Sequence, residues 1–186
     1  MVCNKGCELV AESIPGSILQ VYVYLNSRKE LGSYALISIG ISVLTTGFTS
    51  AMIAFDLDLD PPHRKSQPRF YGYVPDISGL RTRTLVLMTF ISSAHNLSRS
   101  IGVALLASGG IRLVLLFVGG EMLTYLAFKV ARGDFWYFIP LNGVIGFFVS
   151  LVNRVNLKTI VDFTGCLHFR HPLELGGTAF SVSMAW

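Results

Sequence analysis

Ionisable side chains occur inside segments of this sequence that are otherwise apolar, and they are the first candidates for chemistry. Glu12, Arg99 and Glu121 are the clearest of them. A charged group is costly within a bilayer, and it persists where it faces the interior of a helical bundle, a partner group or water. Pairing an acid with the arginine would reduce this cost, because an unpaired buried charge is the expensive case. The three residues therefore predict a charged cluster between helices, in which either acid is a candidate partner of Arg99.

A row of polar residues marks the segment from Cys7 to Leu25, which is a candidate helix. Residues at every fourth position of a helix lie on one face. Four residues follow this spacing and are called the polar stripe below: Glu8, Glu12, Gly16 and Gln20. Ser13 flanks the polar stripe, and the opposite face is apolar. We expect an amphipathic helix whose polar stripe faces the bundle interior.

Pro15 lies within this candidate helix. Proline has no N–H to donate, and its ring clashes with the carbonyl four residues earlier, which is that of Ala11. We therefore expect a kink near Ala11–Glu12, with the Ser13 hydroxyl satisfying part of the freed backbone.

Two further apolar segments carry polar residues at helical spacing. Offsets of three and four place one set on a common face: Ser92, His95, Asn96 and Arg99. A second set recurs at every fourth position: Ser38, Ser42, Thr46 and Ser50. Polar side chains in membrane helices often serve only to hold helices together, at about 0.6 kcal/mol each. For Arg99 and Glu121 the sequence leaves two roles open, namely helix packing and a transport or lipid pathway.

The elements that must position these residues are apolar runs long enough to cross a membrane. The chain is 52% hydrophobic and 14% charged, with a mean hydropathy of +0.56, whereas soluble domains carry about 25% charged residues. Residues 33–55 contain no ionisable acid or base, and a helix of this length spans roughly 30–35 Å. We predict an all-α, multi-pass transmembrane helical bundle. Its candidate helices are 7–25, 33–55, 84–107, 111–130 and 135–152, with a partial helix at 175–186.

A polar, proline-rich stretch separates the second and third candidate helices. Residues 56–83 include Pro61, Pro62, Pro68 and Pro75, and these prolines predict a loop without regular helix. The acids of DLDLD lack the glycine and the terminal glutamate of a calcium-binding EF-hand loop. We expect a solvated, partly self-neutralising loop, and its arginines favour the cytoplasmic side of the membrane.

Other kinds of site lack their sequence signatures. Cys166 and His168 lie close together, but no pair of ligands follows zinc spacing, so we expect no metal site. There is no GxxxxGK[ST] motif for ATP and no GxSxG or HExxH motif for hydrolysis. A formal net charge of +4 gives no reason to propose nucleic acid as a partner. We expect no enzyme activity and no cofactor.

Two stretches resemble a known family. ESIPGSILQVYVYL, from Glu12 to Leu25, is similar to the Glu-Ser-x-Pro-Gln helix of the XK-related family, and Gly16 replaces the usual glutamine. The matching residues are Glu12, Ser13, Pro15, Leu19, Gln20 and Tyr22. SRSIGVALLAS, from Ser98 to Ser108, resembles the family's Ser-Arg-x-x-x-x-Ala-Leu-x-Ala stretch. Family members have several spans before the first motif, so the resemblance implies a carboxy-terminal portion or a short divergent relative.

The resemblance implies phospholipid scrambling, most readily in the plasma membrane. A scramblase moves a lipid headgroup along a polar helix face without ATP, while the acyl tails stay in hydrocarbon. The implied partners are membrane lipids and a partner subunit or a second copy. The candidate pathway or intramembrane polar residues are Glu12, Ser13, Pro15, Gln20, His95, Arg99 and Glu121. The alternatives are an ion or solute channel or transporter, and a structural membrane subunit without transport activity.

Overall fold

The computed structural model describes residues 2–27, 32–66, 71–131, 133, 135 and 143–165. Within these ranges the chain forms helices and no strand, which confirms the all-α prediction. A short π-helical segment, Leu9–Ser13, follows the first helix. The α-helices are α1 (Val2–Glu8), α2 (Ile14–Asn26), α3 (Gly32–Leu59), α4 (Pro61–Ser66), α5 (Ser78–Gly109), α6 (Ile111–Ala131) and α7 (Gly143–Thr164).

Three helices in the described part are long and apolar enough to cross a membrane, namely α3, α6 and α7. They fit a multi-pass integral membrane protein. The predicted spans 33–55 and 111–130 lie within α3 and α6. The predicted spans 84–107 and 7–25 lie within α5 and the α1–α2 segment, which are helical but not among the three. The partial helix at 175–186 lies outside the described residues.

The helix expected at 135–152 extends further along the chain. Its described part runs from Gly143 to Thr164, and residues 136–142 lie outside the described residues. Polar residues after Val152 suggested an end to the span on hydropathy alone. In the structure the helix continues through Arg154 and Lys158. Both side chains are buried in the bundle, although hydropathy counts them as polar.

A π turn joins α1 to α2 immediately before Pro15. Pro15 is the second residue of α2, and it has no N–H to donate to the preceding turn. The backbone N–H of Ile14 donates to the carbonyl of Leu9, five residues earlier. The distortion that the sequence predicts near Ala11–Glu12 therefore takes the form of a π turn.

Helices α3 and α5 approach closely through small residues. A Cβ atom added at Gly47 would overlap the Ser93 hydroxyl and lie 2.7 Å from the Ser93 backbone nitrogen. On α3, Thr46 and Ser50 are buried, Ser42 is half-buried and Ser38 is exposed. The small-residue face predicted for α3 is thus buried only over its carboxy-terminal half.

Helix α2 completes this packing through its apolar side. Val21 belongs to a buried cluster with Ile39, Val43 and Ala104. Leu9, at the start of the π turn, belongs to a second cluster with Ile53 and Ile160. These clusters place α2 against α3 and α5, which fixes the direction in which its other side points.

The stretch predicted as a loop at 56–83 is partly helical. Helix α3 continues to Leu59, α4 occupies Pro61–Ser66, and α5 begins at Ser78. The prediction that the prolines exclude regular helix was wrong for α4. Pro61 and Pro62 lie in its first turn, where proline's fixed φ suits a helix and no N–H is required.

Asp58 organises the irregular part of this stretch. Its side chain is fully buried; Oδ1 accepts hydrogen bonds from the backbone N–H groups of Gly72 (2.9 Å) and Tyr73 (3.3 Å). Its Oδ2 accepts from the N–H of Val74 at 2.7 Å. The guanidinium of Arg64 lies 3.8 Å from the same carboxylate. The expectation that the DLDLD acids are solvated was therefore wrong for Asp58, because the chain folds back and presents three amides to it.

Two arginines tie the end of this stretch to α4 and α5. Arg64 donates through Nε to the backbone carbonyl of Asp58 at 2.6 Å, and Arg81 donates to the Asp76 carboxylate at 2.9 Å. The hydrogen bond from Arg81, together with the charge of Arg64, lowers the pKa of Asp76. Asp76 is exposed, so this pair contributes to local order more than to stability.

Asp58→Asn is expected to loosen residues 71–74 and to lower the free energy of unfolding by about 1–3 kcal/mol. An amide supplies one acceptor oxygen where the carboxylate supplies two, so at least one buried N–H loses its partner. Amide hydrogen exchange at Gly72–Val74 would measure the loosening. Asp56→Asn is the matched control, because its ion pair with Lys5 is exposed and contributes about 0.2–1 kcal/mol. Unchanged protection in Asp58→Asn would contradict the assigned role.

Candidate functional site: a charged cluster and an outward polar stripe

A face of α7 carries buried charge into the bundle. Five residues at every fourth position are all buried: Gly146, Ser150, Arg154, Lys158 and Asp162. This face was not predicted, because the predicted span ends at Val152. The same spacing that defines the polar stripe of α2 is present here and could have identified it.

Lys158 and Asp162 form an ion pair within α7. The ammonium nitrogen of Lys158 lies 2.6 Å from each oxygen of the Asp162 carboxylate. The exposed fractions of the two side chains are 2% and 9%. The Lys158 ammonium also lies 5.7 Å from the centre of the Tyr125 ring, which connects the pair to α6.

Arg99 links α5 to α6. It donates through Nη2 to the Glu121 carboxylate at 2.8 Å, and the exposed fractions of the two side chains are 18% and 14%. The same nitrogen lies 4.0 Å from Asp162, and the guanidinium carbon lies 5.9 Å from the centre of the Phe117 ring. Of the two acids predicted as partners of Arg99, the structure therefore pairs it with Glu121. We call Arg99, Glu121, Lys158 and Asp162 the charged tetrad.

The carboxy-terminal end of α7 lies against the middle of α5. The last carbonyl groups of a helix have no partner within it, and two side chains of α5 supply donors. The Nε2 of His95 lies 2.9 Å from the carbonyl oxygen of Asp162, to which it donates. The hydroxyl of Ser92 donates to the carbonyl of Thr164 at 2.9 Å. His95, a candidate pathway residue, is thus placed as a cap of α7, and the cation of Arg99 lies at the negative end of the same helix dipole.

A second polar contact joins α2 to α5. Ser17, Asn96 and Ser100 are fully buried, and the hydroxyl oxygens of the two serines lie 3.2 Å apart. Both hydroxyls also lie within 3.5 Å of the Asn96 side-chain oxygen. The sequence placed Asn96 among polar residues on one face of α5 and Ser17 beside the polar stripe, but nothing in it predicts that the two residues meet.

The polar stripe of α2 faces away from the bundle. Glu8, Glu12 and Gln20 are exposed, as is Pro15, while Gly16 and Ser13 are half-buried. The buried residues of this segment are on the other side: Leu9, Ile14, Ser17 and Val21. The expectation that the polar stripe faces the interior was wrong. Helical spacing shows which residues share a face, but only the neighbouring helices decide which face is covered, and here α3 and α5 cover the apolar one.

Glu12 is therefore not a member of the charged cluster predicted with Arg99. Its exposed carboxylate lies on the outer side of the π-helical segment, whereas Arg99 lies between α5 and α6. Cys166 and His168, which were considered as metal ligands, lie outside the described residues.

No protein-family model, no curated relative and no solved structure matches this chain. The likeness to the XK-related family therefore rests on the residues of the two sequence stretches and stays a prediction. Function must be argued from the arrangement of the described side chains.

Proposed function

We propose that this chain is a multi-pass membrane protein that lets phospholipids exchange between the two leaflets without ATP. The observation that carries the proposal is the outward position of the polar stripe. Val21 of α2 packs against α3 and α5, and Leu9 and Ile14 are buried, whereas Glu8, Glu12 and Gln20 are exposed. In a membrane, the outer surface of a bundle is the surface that lipids contact, so the polar stripe is available to their headgroups.

The length of the polar stripe suits this task. Glu8 and Gln20 are twelve residues apart in the sequence, which corresponds to roughly 18 Å along a helix axis. The hydrocarbon core of a bilayer is about 30 Å thick, so the stripe extends over more than half of that distance. A headgroup that moves along Glu12 and Gln20 keeps polar contacts while its acyl tails remain in lipid. This lowers the desolvation cost that otherwise prevents exchange.

The interior of the bundle supports this route over a water-filled channel. In the described part of the chain, Arg99 lies 2.8 Å from Glu121 across α5 and α6, and Lys158 lies 2.6 Å from Asp162 within α7. Arg99 also lies 4.0 Å from Asp162, which brings the two pairs together. Ion pairs of this kind hold helices together. The outward polar stripe is the polar surface that such contacts leave uncovered.

The second candidate function is that of a structural membrane subunit, and the exposed polar stripe supports it as well. Exposed carboxylates on an outer helix face would also suit contact with a partner helix or a second copy of the chain. In that case, changes at Glu12 would reduce assembly or protein level and would leave lipid distribution unaltered.

Glu12→Gln combined with Gln20→Leu is expected to slow lipid exchange about tenfold, as the loss of about 1.4 kcal/mol of headgroup contact in the rate-limiting step would do. The assay uses the full chain in liposomes that carry acyl-labelled fluorescent phospholipid in both leaflets, with dithionite added outside. Bleaching beyond the share of the outer leaflet reports exchange.

Leu19→Met is the matched control, because Leu19 is 61% exposed beside Gln20 and the change preserves its volume. Its exchange rate should equal that of the original chain. If the original chain, shown to be folded by circular dichroism, protects the inner-leaflet label, the proposal is wrong. If the double variant exchanges lipid at the unchanged rate, the polar stripe is not the route.

The resemblance to the XK-related family supports the same proposal and adds a location. Of the six residues that it shares with the family helix, Glu12, Pro15, Leu19 and Gln20 are exposed, and Ser13 and Tyr22 are half-buried. Under this proposal the chain resides in the plasma membrane and acts on its phospholipids without a cofactor.

A further inference from the structure

The ion pair of Arg99 and Glu121 is more exposed to the surroundings of the protein than the other ion pair of the charged tetrad. The exposed fractions of its side chains are 18% and 14%, compared with 2% and 9% for Lys158 and Asp162. The Arg99 guanidinium is therefore the cation of the tetrad that an acceptor from outside the protein reaches more readily.

A phosphate is the acceptor group that best fits a guanidinium, because it accepts two parallel N–H donors. Its binding would draw Arg99 away from Glu121. The consequences for the two nearby acids differ. Asp162 is held by Lys158 at 2.6 Å through both oxygens, so it keeps its counter-charge.

Glu121 would lose its counter-charge. Among the described residues, its hydrogen bond and its ion pair are both to Arg99. A carboxylate left unpaired in a poorly solvated site is strongly unfavourable. A ligand that brings only negative charge therefore meets a penalty, whereas one that also brings a positive group replaces both partners of the pair.

We infer that the Arg99–Glu121 pair selects phospholipid headgroups that carry both a phosphate and an ammonium group. The phosphate binds the Arg99 guanidinium in place of the Glu121 carboxylate, and the ammonium group binds that carboxylate. The Phe117 ring, already beside Arg99, offers its face to the ammonium group. This inference rests on the proposed function, and it adds a headgroup contact between α5 and α6 that prefers phosphatidylcholine and phosphatidylethanolamine over phosphatidylglycerol.

The test compares exchange rates for acyl-labelled lipids with these three headgroups. Trace amounts of each are placed separately in liposomes made mainly of phosphatidylcholine, which contain the full chain, and dithionite bleaching is followed. We expect the two ammonium-bearing lipids to exchange about tenfold faster than phosphatidylglycerol. In Glu121→Gln, the three rates should approach one another, because no carboxylate is left to require a counter-charge.

Thr124→Val is the control, one turn further along α6, where the hydroxyl donates only to its own helix; it should keep the full preference. Equal rates for all three lipids in the original chain would overturn the inference and leave the proposed function standing. A preference that persists in Glu121→Gln would overturn it as well. Absence of exchange for every lipid would overturn the proposed function and this inference together. The comparison within the original chain needs no variant, so a folding defect in Glu121→Gln cannot leave the inference undecided.

Discussion

Gly47→Ala is expected to lower the free energy of unfolding by about 3 kcal/mol, the upper end for an overpacked site. The added Cβ atom would overlap the Ser93 hydroxyl and approach the Ser93 backbone nitrogen to 2.7 Å and its Cα atom to 2.9 Å. Backbone atoms cannot move by a change of rotamer, so α3 and α5 would have to separate. Titration of the purified protein with SDS in mixed micelles, followed by circular dichroism, would measure the change.

Gly40→Ala provides the control within the same helix. A Cβ atom at Gly40 meets nothing within 4 Å, so the change should be neutral or stabilise the helix by up to about 1 kcal/mol. Ser93→Gly combined with Gly47→Ala should restore only part of the stability, because the contacts with the Ser93 backbone remain. Full rescue would mean that the hydroxyl alone sets the distance between the helices, and equal stability of the two alanine variants would refute the close approach.

Lys158→Met is expected to lower the free energy of unfolding by about 3–5 kcal/mol, the range for breaking a buried ion pair by removing one partner. The change leaves two acids, Asp162 and Glu121, to share Arg99, which lies 4.0 Å from the first and 2.8 Å from the second. The uncompensated charge of Asp162 would then lie in a site where its side chain is 9% exposed. The same SDS titration measures the loss.

Lys158→Met combined with Asp162→Leu should recover most of that loss, since replacing both partners with apolar residues is often neutral. The matched control is Lys5→Met, which removes an exposed ion pair with Asp56 at 3.5 Å and should cost less than about 1 kcal/mol. A double variant as unstable as Lys158→Met would show that the loss comes from packing of the lysine on Tyr125 and not from the unpaired carboxylate.

The spans were predicted from local composition. Composition was sufficient to locate a helix where the segment is predominantly apolar. Residues 33–55 and 111–130 fall within α3 and α6 for this reason. The expected end at Val152 failed because hydropathy counts Arg154 and Lys158 as polar wherever they lie. It cannot register that both side chains are buried.

The charged cluster was predictable in part. Arg99 and Glu121 were candidates because a charge within an apolar segment requires a partner, and the structure places them 2.8 Å apart. Asp162 and Lys158 were missed although they share one helix face. Asp58 was missed because its partners are backbone amides at positions 72–74, which no side-chain pattern reveals.

The sequence by itself determined that the chain is helical, that several segments are apolar enough for a membrane, and which residues of each helix share a face. These properties follow from the composition and from the period of the helix, both of which are local. The tertiary structure alone decided which face each helix buries. In α7 the stripe of every fourth residue points inward and carries Arg154, Lys158 and Asp162 into the bundle. In the α1–α2 segment a stripe of the same spacing points outward, because α3, α5 and α7 cover Leu9, Ile14 and Val21. The direction of a polar face depends on contacts between residues far apart in the chain, and no periodicity within one helix contains that information.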